Sequence, residues 1–171
     1  MRHLIPLTAI FLSAFLLIDG CRRKEPDAAI VRKAVATKLK KKPKDVTEAD
    51  YATVTTLALS RSQISDLTPL KDLTALQELF LNLTKVSDLT PIKGLTALQG
   101  LNLGGTPVCD LSPIKELTGL QRLGISDTKV SDLTPIKELT GLRWLVLINT
   151  KVSDEQVAEL KKALPRLAII R

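Results

Sequence analysis

The chain of 171 residues is poor in the side chains on which most chemistry and much recognition depend. Aromatic residues make up 3% of it, with one tryptophan, one tyrosine and three phenylalanines. That scarcity argues against a single-stranded nucleic-acid binder, which stacks bases on aromatic rings. The only histidine is His3, inside an apolar leader. A chain that loses that leader has no imidazole for a triad or a zinc site. The two cysteines, Cys21 and Cys109, allow at most one disulfide. The longest apolar run, residues 4–18, falls short of the roughly 20 residues that span a bilayer.

What the chain does have is self-similarity. Four consecutive segments, starting at Ser65, Ser87, Cys109 and Ser131, follow one pattern at a spacing of 22 residues: (S/C)-D-L-(T/S)-P-(L/I)-K-x-L-T-x-L-x-x-L-x-(L/I)-x-x-T-x-V. The register extends backwards through Val54, Leu57 and Leu59, and forwards through Leu164, Leu167 and Ile169. Six strand positions result. A period of 20 to 29 residues carrying L-x-x-L-x-L is the signature of leucine-rich repeats. One such unit cannot bury its own apolar face and must stack on a neighbour. The expected fold is an α/β solenoid with a parallel sheet on the concave face and short 3₁₀ or α turns on the convex face.

Within one coil Leu76, Leu79, Leu81, Val86, Leu89, Ile92 and Leu95 are expected to point inward. The alternation of Leu79, Phe80 and Leu81 reads as a strand. Thr68-Pro69, Thr90-Pro91, Ser112-Pro113 and Thr134-Pro135 place a hydroxyl and a proline where a helical turn starts, so the hydroxyls are expected to cap it. Asp66, Asp88, Asp110, Asp132 and Asp154 recur at the same period. They read as turn residues rather than calcium ligands, since calcium-binding repeats are shorter and richer in Gly and Asp. Leu101, with coils on both sides, is expected to be more enclosed than Leu57 in the first coil.

The two ends must differ from the middle, because an open coil exposes apolar surface and strand edges. Ile30, Val31, Ala34, Val35 and Leu39 form an apolar helical stripe after Asp27, which is expected to cap that helix. At the other end Ser153 and Gln156 are spaced as a capping box, and Val157, Leu160 and Leu164 recur at helical intervals before Pro165. A helical N-terminal cap and a helix–strand C-terminal cap are therefore expected. The reading divides the chain into 1–20, a signal segment; 21–52, a basic linker and cap; 53–152, the repeats; and 153–171, the closing cap.

This 22-residue form resembles the internalin-type leucine-rich repeats of bacterial envelope proteins, over roughly residues 53–152 and with its caps 27–171. The resemblance implies a non-enzymatic binding module needing no cofactor or metal. The family's usual inward asparagine is replaced by Ser62, Thr84, Thr106, Thr128 and Thr150. A hydroxyl offers one donor where an amide offers two, so a sparser side-chain ladder is expected. No sortase-type anchor or immunoglobulin-like domain follows, so recognition of a host receptor is not implied.

Arg2 and His3 followed by the apolar run have the shape of a secretory signal. The sequence Leu17-Ile18-Asp19-Gly20-Cys21 resembles a bacterial lipobox, with Asp19 off-pattern, which makes Cys21 the expected lipidation site. The alternative is a signal left uncleaved or cut elsewhere, giving a secreted or periplasmic protein. Cys109 stands where the other repeats have serine and reads as a small replacement. The formal charge is +7, and residues 22–44 alone carry ten basic against two acidic side chains. That segment suits anionic headgroups beside a lipid anchor, or simply the C-terminal end of a helix.

Function then falls to the concave face, where the x positions of L-x-x-L-x-L project. The candidate partner-binding residues are Glu78, Phe80, Asn102, Arg122, Gly124, Trp144, Val146 and Ile148. Phe80 stands on one side of a glycine-rich middle and Trp144 with its β-branched neighbours on the other, about 14 Å across three coils at strand spacing. Two readings follow. In one, the protein binds a protein or peptide partner on this face while anchored at the envelope. In the other, it is an anchored structural scaffold without a concave-face ligand. For Trp144 and its neighbours themselves, the alternative to a contact point is packing under the C-terminal cap.

Overall fold

A computed structural model describes residues 25–171. Its centre is one parallel sheet of six strands, β1 (Thr56–Ala58), β2 (Glu78–Phe80), β3 (Gly100–Asn102), β4 (Arg122–Gly124), β5 (Trp144–Val146) and β6 (Ala168–Ile170), ordered as in the chain. From β1 to β5 each residue pairs with the one 22 positions on, as Leu57 with Leu79 and Leu79 with Leu101. Every leucine at the middle strand position of β1 to β5 is buried, and so are Val86, Leu89, Ile92 and Leu95 on the return path. The periodic leucines thus form one continuous core along the stack. The solenoid expected from the repeat is the observed fold.

The convex side carries a 3₁₀ turn in each coil, Thr68–Leu70, Thr90–Ile92, Ser112–Ile114 and Thr134–Ile136. The proline sits inside each turn as expected. The capping group differs from the expectation: it is the aspartate two residues earlier, not the Thr or Ser hydroxyl. Asp66, Asp88, Asp110 and Asp132 each accept the backbone N–H of residue i+2 at 2.8 Å. A carboxylate reaches across this gap where a hydroxyl on a shorter arm does not, and the Asx turn results. Hydrogen bonds from the side chain and backbone N–H of Thr90 hold Asp88 below the usual carboxylate range, and Thr134 does the same for Asp132.

The inward hydroxyls behave as a sparse substitute for an amide ladder. Thr84, Thr106 and Thr128 are buried, and each donates to the backbone carbonyl three residues before it, at 2.6–2.7 Å. Thr150 repeats the bond at 2.9 Å. Each of these bonds closes its own coil. Coil-to-coil bonding is carried instead by the backbone, as in Leu81 N–H to Asn102 O and Leu103 N–H to Gly124 O, both 2.8 Å.

Helix α1 (Asp27–Leu39) lies over the first coil, burying Val31, Val35 and Ala36 against it. Two expectations are corrected here. Asp27 does not cap its own helix, whose N-cap is Pro26. Its carboxylate accepts Ser65 N–H, Ser65 Oγ–H and Asp66 N–H at 3.0–3.3 Å, tying the cap to the first repeat turn. Leu57 is as buried as Leu101, because α1 covers β1 as a further coil would. Beyond α1, a short helix α2 (Glu48–Tyr51) is pinned by Asp50, which accepts Lys41 Nζ at 2.6 Å and Thr47 N–H at 2.8 Å. The ammonium of Lys41, followed by the Thr47 N–H, lowers the Asp50 carboxyl to about 2.

At the far end α3 (Asp154–Ala163) replaces the 3₁₀ turn and changes the register. Leu145 pairs with Ile169, not Leu167, a step of 24 residues instead of 22. The shift is two residues, so inside and outside are preserved along the strand. The capping box is half formed: Ser153 Oγ accepts Gln156 N–H at 3.3 Å. The Gln156 amide oxygen instead accepts Leu133 N–H of the preceding coil at 2.9 Å.

Candidate functional site

The strand parity that buries Leu79, Leu101, Leu123 and Leu145 sends the residues on either side of them onto the concave face. Two columns form across the coils. One runs Thr56, Glu78, Gly100, Arg122, Trp144, Ala168; the other runs Ala58, Phe80, Asn102, Gly124, Val146, Ile170. Between them lies a shallow groove of about 220 Å³. Seven of the eight candidates, Glu78, Phe80, Asn102, Arg122, Gly124, Trp144 and Val146, line it, together with Gly100, Leu101 and Leu123. Ile148 is exposed at the rim and does not line the groove.

The glycine-rich middle is not empty. Glu78 and Arg122 form an ion pair across it, although they stand two coils apart. Gly100 lies between them in the column, and a Cβ there would collide with the Glu78 carboxylate. The absent side chain at residue 100 is what lets the pair close. Asn102 turns its amide oxygen to Gly104 N–H at 3.0 Å and covers part of Gly124, whose Cβ would stand 3.1 Å from that oxygen.

Trp144 is 51% exposed, so the C-terminal cap does not bury it. Val146 is half-buried beside it, and Ile148 and Ile170 are exposed. Ile170 was missed by the sequence reading; strand parity alone puts it on the face, and the two-residue register shift at β6 sets it beside Val146 rather than Ile148. Leu83 was missed as well. It stands exposed on the lip beside the groove, leaning toward Gly105, and it bears a positive φ of 59°. Arg61, Gly105, Asp127 and Asn149 share that left-handed conformation at the same period. Only one of the five is glycine, so the signal in the sequence was weak.

Other chemistry finds no support among the described residues. No group of three or more metal-ligating side chains comes together. Asp66, Asp88, Asp110 and Asp132 stand one to a coil and cap their own turns, whereas Asp154, expected to do the same, opens α3 and pairs with Arg171. Cys109 is exposed and unpaired. No described helix is long and apolar enough to cross a membrane.

No family model and no curated protein matches the sequence. Solved structures do. The chain is similar to internalin C2 of Listeria monocytogenes at 30% identity and TM-score 0.56, over 82% of this chain and 81% of that one. The chain belongs to the internalin-like leucine-rich repeat proteins. It is also similar to a leucine-rich repeat protein of Leptospira interrogans, at 26% identity and TM-score 0.66, over 74% of this chain and 34% of that one. The internalin-like solenoid described above therefore has the architecture of a protein-interaction module. Its groove is the concave hollow of that architecture, with an aromatic residue toward each end.

Proposed function

We propose that this internalin-like protein is an exported, lipid-anchored module that binds a protein or peptide partner in its concave groove. The observation that carries the reading is Trp144. The only tryptophan of the chain stands half out of the fold, next to Val146, in a groove whose other aromatic residue, Phe80, lies toward the opposite end. Burying an exposed tryptophan supplies a large contact area, and such residues recur at the energetic centres of interfaces. A purely structural scaffold has no use for it.

The anchor is the second half of the reading. The signal segment 1–20 and Cys21 lie outside the described residues, so their support is the sequence: charged start, apolar run, and Cys21 in lipobox context. The repeats 53–152 then extend from the membrane surface beyond the cap 21–52, and 153–171 closes them.

Crosslinking capture from envelope fractions tests both halves. With the native chain a defined partner is expected, and with Trp144→Ala its yield should fall at least tenfold. Cys21→Ser should move the protein from the membrane to the soluble fraction while leaving capture in solution intact. A mature protein whose Cys21 is unmodified by mass spectrometry removes the anchor from the account. Capture indifferent to Trp144→Ala favours the scaffold reading.

A further inference from the structure

The six strands contain only two ionisable residues, Glu78 and Arg122, and they are paired with each other. Their exposure is unequal. The Glu78 side chain is 22% exposed, whereas that of Arg122 is 51% exposed. A guanidinium carries five N–H donors, and the bond to Glu78 uses one of them. Arg122 therefore holds unspent donors toward the open side of the groove, while the carboxylate of Glu78 is largely covered. We propose that the groove selects an extended acidic peptide, with Arg122 taking a carboxylate of that peptide and Trp144 taking the apolar residue two positions from it. This inference rests on the concave groove being the binding surface.

Geometry sets the rest. Arg122 and Trp144 are register partners on adjacent strands, so their side chains leave the sheet about 4.8 Å apart. Side chains alternate along an extended peptide, so an acidic residue and an apolar one two positions on share a face roughly 6.6 Å apart, within reach of two such long side chains. The span from Phe80 to Val146, three coils or about 14 Å, accommodates about four extended residues. Gly124 keeps the floor low enough for a backbone to lie there. The arginine is also prepositioned, since Glu78 reaches over Gly100 to hold it. The chain's net positive charge lies in residues 22–44, outside the groove, so the local attraction for an acidic residue comes from Arg122. A cationic peptide meets the opposite situation: the Glu78 carboxylate is already engaged and largely covered, and the more exposed guanidinium of Arg122 repels it.

A random seven-residue peptide library displayed on phage, panned against the full chain and four variants, Trp144→Ala among them, tests the proposal. The native chain should enrich peptides with Asp or Glu two positions from an apolar residue. Arg122→Gln should lose the acidic preference at least tenfold while keeping the apolar one, and Arg122→Lys should restore part of it. Glu78→Gln removes a competing carboxylate and should retain or strengthen the acidic preference several-fold. Titration of synthetic copies of the enriched peptides, followed by the emission of the single tryptophan, reads occupancy at the site itself. Enrichment of basic peptides, or an acidic preference that survives Arg122→Gln with unchanged circular dichroism, overturns the proposal. Apolar peptides that depend on Trp144 but not on Arg122 also overturn it, and leave the concave-face reading standing. Enrichment indifferent to both residues, or none at all, overturns both.

Discussion

Leu83 and Gly105 occupy equivalent places in successive coils with nearly the same backbone, at φ 59° and 69°, yet only one is suited to it. An L-residue with a large side chain pays roughly 1–2 kcal/mol in the left-handed region, whereas glycine and, in part, asparagine do not. The conformation persists at Leu83 because its N–H donates to Gly104 O at 2.8 Å and so belongs to the coil-to-coil ladder. Substitutions in this column should therefore have opposite signs. Leu83→Asn should raise stability by about 0.5–1 kcal/mol, since asparagine tolerates the conformation and Leu83 is exposed. Gly105→Ala should lower it by about 1–2 kcal/mol, because the new Cβ is strained and stands 2.7 Å from Leu83 Cδ2. Urea midpoints of the two variants check this; a loss in the first or a gain in the second contradicts it. The ion pair across the groove contributes little to stability by comparison, as exposed pairs usually do. Its meaning lies in the placement of Arg122.

The coil is the unit at the next scale, and its parts do separable jobs. Leucines fill it, an aspartate turns it, a hydroxyl closes it. Emptying a leucine site inside a stack costs about 2–5 kcal/mol. Leu101→Ala and Leu57→Ala should both fall in that range, because α1 closes the first coil as completely as a neighbour closes the third. Ile169→Ala should cost clearly less, since β6 ends the sheet and Ile169 is only half-buried. Equal urea midpoints for Leu101→Ala and Ile169→Ala contradict the stacked account. The turn aspartates make the coil sensitive to acid. Asp88 and Asp132 are held below the ordinary carboxylate range and Asp50 near about 2. A depressed folded-state value stabilises above the unfolded value, near about 4, and that stability is lost as pH falls through the folded value. The thermal midpoint should thus drop between pH 5 and 2. The double variant Asp88→Asn, Asp132→Asn keeps the turn acceptors and removes the titration, so its drop should be shallower. An unchanged slope assigns acid sensitivity to other groups.

For the whole molecule, what was legible in the sequence followed the period. The first five strands, their order and their buried leucines can be read from residues 22 positions apart, because stacking repeats the same contacts in every coil. What escaped lies where the repetition ends or where two coils interact. The two-residue register change at β6 comes from α3, which belongs to no repeat, and it sets Ile170 beside Val146 instead of Ile148. The engagement of Asp27 with Ser65 and Asp66 joins a cap to a coil, a contact that helix-capping rules alone assign elsewhere. Seven of the eight groove candidates meet in one hollow because strand parity determines which side chains share a face. The ion pair that crosses Gly100 was not legible, since nothing in the spacing shows that a side chain reaches past an intervening coil.

The claim on which the functional account depends is that the concave groove is the working surface, and Gly124→Arg tests it most directly. Residue 124 lies between buried Leu123 and Ile125 and opens into the groove, with Asn102 Oδ1 3.1 Å from the position of a new Cβ. Asn102 must yield by a few tenths of an ångström; beyond it an arginine side chain occupies the space between Phe80 and Trp144. The measurement is partner capture from envelope fractions, run beside circular dichroism and thermal unfolding of the same protein. The account predicts that capture is lost while stability stays within about 0.5 kcal/mol of the native chain, as for other exposed substitutions. Capture at the native level by a folded Gly124→Arg protein contradicts it and moves the binding surface off the concave face.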